Sequence, residues 1–308
     1  MAFKHQEKNI KKITAFTSHF GIFQTGPKDD TREFLSSMEV YNENGDIIED
    51  VKYFEDGDED ERALYEYDDQ NRVTSEQIAY ALSESSDRRE IRRDDNARTE
   101  EEIIFYGEEP GEKIITKFNE DKDPVEIITY NDEGGIETRQ LMTYARPNKV
   151  KKEEMYDADG ELIKKVVNHY DDNGELIGQE METTDEEQIP YQVVKIDKSD
   201  QEEVVSTYDN EGNLIMKNTQ KLNDQEKVEE QITETFTGGH QVRVQKMEYN
   251  DQGRLALRLV LDGRGNLLRK HEWVYNEEGF IVEEYEFMNG YDGKNVNSKT
   301  RYEYEFYS

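Results

Sequence analysis

Along most of the chain, apolar and polar residues change places every second position. In RLALRLVLD, Leu255, Leu257, Leu259 and Leu261 fall on one face. In IVEEYEF, Ile281, Tyr285 and Phe287 share a face with Glu283 between them, and in RYEYEFY, Tyr302, Tyr304 and Phe306 oppose Arg301, Glu303 and Glu305. Period two predicts strands with one buried and one wet face. Helical spacing is not convincing anywhere in this region.

A short phrase interrupts the alternation at regular intervals: aromatic, Asn or Asp, two polar residues, Gly, any residue, aliphatic. Its seven full copies begin with Tyr41, Tyr130, Tyr156, Tyr170, Tyr208, Tyr249 and Tyr275. They place glycine at Gly45, Gly134, Gly160, Gly174, Gly212, Gly253 and Gly279. YDDQNRV (Tyr67 to Val73) and LDGRGNL (Leu261 to Leu267) are near copies. Asx followed by Gly is turn chemistry, because Gly takes positive φ without a Cβ clash and Asx side chains bond the local backbone. These residues are therefore structural, with the tyrosine ring laid over the sheet and its hydroxyl at the rim. Steps of 12 and 14 residues make a 26-residue unit of strand, turn and strand. Polar breaks such as NEDKDP, TTDEE, DKSDQ and LNDQE fill the remaining intervals.

One such hairpin cannot bury enough surface alone, so stability must come from stacked neighbours. The expected fold is all-β, an antiparallel meander forming an extended, twisted or coiled sheet. Cross-strand Lys/Arg–Glu pairs should cover its wet face. Residues 36–308 read as a single repeat domain. Residues 1–35, basic and then apolar-aromatic in ITAFTSHFGIF, read as an N-terminal cap on the first strand edge or as a docking arm. Residues 83–100 hold Arg88, Arg89, Arg92 and Arg93 in an otherwise acidic chain. A polar turn laced with internal salt bridges is the expected reading, ahead of an anion site.

The chain has 308 residues, 33% hydrophobic and 36% charged, with net charge −34. Low hydrophobicity with high charge ordinarily means disorder. Scarce proline (5) and evenly spread Tyr (19) and Phe (12) argue instead for a thin, half-solvated sheet. The negative field repels nucleic acid and anionic membrane surfaces, and favours solubility and basic partners. No cysteine is present, which excludes disulfides, thiolate nucleophiles and cysteine metal sites. The opening MAFKHQEKNIKKITAFTSHF has no apolar h-region, and no run approaches a membrane span. The expected location is cytoplasmic, with export by a leaderless route as the alternative and no membrane insertion.

The phrase and its spacing resemble the YD repeats of RHS-type proteins, over roughly residues 38–307. That resemblance implies a bacterial protein with strand-turn-strand units coiled into a long β-sheet. Large members wrap such sheets into shells around a toxin domain or display them at the cell surface. The family phrase often carries Arg after the Gly, a place held here only by Arg254. The chain closes on repeat-like RYEYEFYS rather than on a toxin, so the resemblance bears on fold and not on toxin activity. Tandem turn repeats of the MORN type are a weaker resemblance, with a shorter unit and more Gly and Trp.

Chemistry is thinly signalled. His5, His19, His169, His240 and His271 are far apart and in no ligand spacing. Carboxylates are so abundant that a catalytic pair can be drawn anywhere. No GxSxG, P-loop or dinucleotide fingerprint occurs. DADGE (Asp157 to Glu161) and DGDEDE (Asp56 to Glu61) offer oxygen ligands for calcium but lack a complete EF-hand loop, so turn chemistry is the preferred reading. No catalytic residue, metal site or cofactor is expected, and no enzyme. The expected function is a protein-binding or scaffold repeat protein that neutralises or chaperones a basic partner, as an immunity or antitoxin protein would. The alternative is a structural component of a cell-surface or secretion assembly; a glycan-acting or metal-binding enzyme ranks last.

Overall fold

The computed structural model describes residues 9–21, 33–83, 85–185, 189–289 and 295–308. The strands begin with β1 (Ile10–Gly21), β2 (Phe34–Tyr41), β3 (Ile47–Tyr53), β4 (Glu59–Tyr67), β5 (Val73–Tyr80), β6 (Ser85–Asp94) and β7 (Thr99–Tyr106). They continue with β8 (Glu109–Phe118), β9 (Pro124–Tyr130), β10 (Ile136–Arg146), β11 (Lys149–Tyr156), β12 (Leu162–Tyr170), β13 (Leu176–Thr183) and β14 (Tyr191–Lys198). The last are β15 (Glu202–Tyr208), β16 (Leu214–Leu222), β17 (Val228–Thr235), β18 (Gln241–Tyr249), β19 (Leu255–Asp262), β20 (Leu267–Tyr275), β21 (Ile281–Asn289) and β22 (Asn295–Phe306). All-β character and the antiparallel meander are as the alternation predicts.

The expected open, extended sheet is not what forms. All 22 strands belong to one sheet, and β1 pairs antiparallel with both β2 and β22. The hydrogen-bonding order therefore returns to its start, which is the connectivity of a closed barrel. Thr17 faces Thr300 across this seam, with their hydroxyls 3.1 Å apart, and Thr17 also donates to the Ser36 hydroxyl at 2.8 Å. Closure satisfies the N–H and C=O groups that an open sheet leaves bare at each end. Local periodicity could not report it, because it depends on partners 283 residues apart.

Two compact units can be distinguished. One comprises the described residues up to Glu90, Phe105–Glu109 and Lys246–Ser308; the other comprises Ile91–Ile104 and Pro110–Gln245. Both are thinly cored. In the first, Ile10, Ile13 and Phe280 form a buried cluster against Tyr41, Tyr302 and Tyr304. The Phe280 ring lies 5.0 Å from Tyr304 and 5.4 Å from Phe306, so this cluster backs the seam. Val51 is the only side chain completely shielded from water among the described residues. In the second unit the buried positions are scattered: Ile91, Met142, Val166 and Ile215, with Asp123, Ser206, Thr207 and Thr219 among them.

The wet face is held by the cross-strand pairs the sequence suggested. Lys52 and Glu61 face each other at 2.7 Å, Lys117 and Glu126 at 2.6 Å, and Lys221 and Glu230 at 2.7 Å, each directly in register. Exposed pairs of this kind contribute only about 0–1 kcal/mol each. Their value here lies in making charged strands compatible with one register. The arginine-rich stretch is not the expected turn: Arg88, Arg89, Arg92 and Arg93 lie in strand β6, where the expected salt bridges form across strands, Arg89 with Glu76 at 2.9 Å and Arg93 with Glu100 at 2.7 Å. Arg88 lies over the Phe105 ring, 4.3 Å from its centroid.

Candidate functional site

Every full phrase is one and the same turn. At Tyr41 the chain closes β2, Asn42 N–H bonds the Asp46 carbonyl at 2.8 Å, and Gly45 N–H bonds the Asn42 carbonyl at 3.0 Å. The Asn42 side-chain oxygen then accepts from the Asn44 and Asp46 amides at 2.9 and 3.0 Å. This is a type I turn followed by a left-handed residue that forms a bulge. The same pair of backbone bonds recurs in twelve turns among the described residues. Breaks that did not read as the phrase prove to be the same turn: those at Phe54, Asn119 and Asn223. Two of them hold Lys122 (φ 66) and Glu226 (φ 60) where the phrase has glycine, and the near copy YDDQNRV holds Asn71 (φ 58). The signal that finds them is the leading Asx or Phe at the right interval, not the Gly.

Glycine is required unequally. At Gly45 (φ +84) a Cβ would meet nothing. At Gly279 (φ +94) it would run into the Arg254 guanidinium, which comes from the neighbouring turn and lies over the Tyr275 ring. Arg254, the residue after Gly253, thus uses the next turn's glycine as its seat. Gly45→Ala should cost about 1–2 kcal/mol through its left-handed backbone alone. Gly279→Ala should cost more, and the excess should disappear in an Arg254→Ala background, as urea unfolding of the four proteins would show.

The tyrosines are held by two kinds of contact. Tyr170 and Tyr275, which close β12 and β20, donate to the carbonyls of Val150 and Leu255 at 2.8 Å. Tyr67, Tyr144 and Tyr304 do the same toward Ile47, Pro124 and Ile281. In each case the hydroxyl crosses to the start of the preceding strand, closing the open end of the hairpin that the two strands form. Burial raises the Tyr67, Tyr144 and Tyr275 phenols above their ordinary range. Tyr130 and Tyr208, which close β9 and β15, lie under Lys113 and Lys195 at 4.8 and 5.1 Å, as Tyr170 also lies under Lys149 at 5.9 Å. Tyr41 donates to Glu39, and its own carbonyl accepts from Tyr307. Tyr156 is half-buried at the end of β11, and burial also raises the Tyr249 phenol. The seven Tyr–Gly pairs are thus repeated structural joints and do not converge on one pocket.

What the turns present to solvent is less neutral than their mechanics require. The Asx and the left-handed residue build the turn; the two positions between them are free. Over the seven full phrases, nine of those fourteen positions are acidic and none is basic. The nine, Glu43, Asp132, Glu133, Asp159, Asp172, Glu211, Asp251, Glu277 and Glu278, are all exposed. At the base of the turns, the amides of Arg72 and Glu175 hold the Asp68 and Asp171 carboxyls below their usual range. The Asn213 and Asn266 side chains do so for Asp209 and Asp262. Asp157, the first candidate calcium ligand, already accepts the Asp159 and Glu161 amides at 3.0 and 2.8 Å. No group of three or more His, Asp or Glu suited to a metal occurs among the described residues.

The described histidines form no metal-suited group, and each faces a glutamate. The pairs are His19 with Glu55 at 3.6 Å, His169 with Glu180 at 3.0 Å, His240 with Glu234 at 3.0 Å and His271 with Glu286 at 3.2 Å. His5 lies outside the described residues, as do residues 1–8 and 22–32 of the segment read as a cap or docking arm. Of that segment, Ile10–Gly21 is strand β1.

No protein-family model and no curated protein matches the chain. Among solved structures, a porin-like protein from Bacteroides uniformis is similar over 96% of both chains, with 8% identity and a TM-score of 0.33. The TcdB2-TccC3-Cdc42 structure covers 95% of this chain and 19% of its own, with 8% identity and a TM-score of 0.26. A Photorhabdus luminescens Tc holotoxin pore carrying TccC3-D651A covers 85% and 23%, with 9% identity and a TM-score of 0.23. TM-scores this far below 0.5 do not establish a shared fold.

Proposed function

We propose that this protein is a non-catalytic β-repeat scaffold, of the YD-repeat kind its phrase resembles, that binds a basic protein partner through its turn tips. The observation that carries this reading is the acidity of the free tip positions: nine of the fourteen in the full phrases are carboxylates and none is basic, and of the ten in the other five turns six are carboxylates and one, Arg264, is basic. Turn geometry tolerates most residues there, so mechanics alone does not require that bias. On the sheet, by contrast, Lys and Arg are engaged across strands. The tips therefore present exposed negative charge to solvent, which accelerates encounter with a cationic surface. Neutralising or chaperoning such a partner in the cytoplasm is the role this suits best.

Strand composition supports the absence of membrane insertion. In β11 (KVKKEEMY) and β17 (VEEQITET), charged residues occupy both alternating phases. A lipid-facing band needs one phase apolar, and a charge near the bilayer midplane costs about 2–4 kcal/mol. Closure through β1 and β22 also removes the free edges through which a structural part would add further strands.

The test replaces the nine tip carboxylates by Asn or Gln. Wild type and variant are compared for retention of proteins from the source lysate at low and moderate salt. A basic protein held by wild type, released by salt and lost from an equally stable variant is the expected outcome. The same proteins on both baits would overturn the reading.

A further inference from the structure

Across β19, β20 and β21 runs a row of three side chains in direct register: Arg258, His271 and Glu286. His271 is 7% exposed, the most buried histidine described. Arg258 Nη2 stands 2.9 Å from His271 Nδ1. A guanidinium can only donate, so Nδ1 must be the bare, accepting nitrogen. The proton of the neutral ring is then on Nε2, which points at Glu286 Oε1, 3.2 Å away, with Glu284 at 3.8 Å. The remaining charges are fixed as well. Arg269 of β20 pairs with Glu286, and Tyr302 of β22 donates to Glu284 at 2.9 Å. Trp273, the one tryptophan of the chain, is tilted against the imidazole at 5.2 Å and lies beneath Arg258 at 5.9 Å.

The geometry points to a proton-operated latch, in which protonation of His271 at Nδ1 expels the Arg258 guanidinium and loosens the β19–β20 junction. The neutral ring joins a donor on β19 to an acceptor on β21. The imidazolium keeps its bond to Glu286 but turns a second N–H toward Arg258, so an acceptor becomes a cation in contact with a cation. Arg258 has a way out: the residue is only half-buried, and its head need only slide off Trp273 into solvent. Burial holds His271 below the ordinary histidine value of 6.5, with Arg269 and Arg258 adding to burial and Glu286 and Glu284 opposing it. With the folded value depressed, the unfolded chain binds the proton first. Stability is therefore complete above 6.5 and falls as the pH drops below it. This response is independent of the turn-tip reading.

Trp273 supplies the readout, since an adjacent imidazolium quenches indole emission. Wild type should lose Trp273 emission reversibly on acidification from pH 7.5, with a midpoint below 6.5. His271→Gln keeps an oxygen for Arg258 and an N–H for Glu286, and should abolish the transition; His169→Gln and His240→Gln should retain it. The same transition in His271→Gln, or its loss in either control, would overturn the proposal. Nitrogen-15 NMR of the wild-type ring gives a second check that requires no variant. The expected signal is the Nε2–H tautomer at pH 7.5 with Nδ1 gaining its proton across the same interval. An Nδ1–H tautomer, or a ring already doubly protonated at pH 7.5, would be fatal to the idea.

Discussion

Ala15→Pro is expected to lower stability by about 3 kcal/mol or more and to release β1 from both of its neighbours. Ala15 is 4% exposed and stands opposite Ser37 on β2 and Tyr302 on β22. Proline removes one ladder hydrogen bond, and its ring has no room between two strands. If β1 were an edge strand, the N–H could face solvent and proline would be tolerated. The size of the loss thus distinguishes a closed sheet from an open one. The measurement is a urea titration with size-exclusion chromatography at several concentrations. Near-wild-type unfolding would mean that β1 is not clasped on both sides; higher oligomers are expected where the freed edges of β2 and β22 find other copies.

Val51→Asp should be comparably severe for a different reason. Val51 is 0% exposed. Val51→Ala removes two methyl groups, about 1.6 kcal/mol of burial, plus a cavity contribution. Val51→Asp adds an unpaired carboxyl in the same space and should cost about 4 kcal/mol or more at neutral pH. Burial raises the pKa of the new carboxyl, so the folded state binds its proton first, and the penalty relative to Val51→Ala should shrink as pH falls. Denaturation of the two variants at pH 7.5 and pH 5 checks both size and sign. An equal cost would show that position 51 admits water.

Much of this fold can be read from residues close together in the chain. The alternation in RLALRLVLD gives β19, and the phrase gives the hairpin turns, because strand period and turn chemistry are properties of four to eight neighbouring residues. Closure could not be read in that way. Nothing near Thr17 announces Thr300, and twist per strand is not a residue property. The breaks at Asn119 and Asn223 were legible as turns but not as copies of the phrase, because Lys122 and Glu226 accept a left-handed backbone that glycine ordinarily marks. Tyrosine hydroxyls at the rim were legible; their target carbonyls, set by the preceding strand, were not. The His271 row was equally hidden, since Arg258 and Glu286 are brought to it only by register.

The seam also orders events in time. Each hairpin joins strands a few residues apart and can form in microseconds. The contact between Thr17 and Thr300 spans 283 residues and forms only once the intervening strands have set the curvature. Until then β1 and β22 each keep one side unpaired. A chain caught at that stage in the company of others of its kind can close on a stranger's strand as readily as on its own. Dilution and net charge of like sign keep such encounters rare. The acidity that we propose as a binding surface in the finished protein would then also act as a chaperone during its assembly.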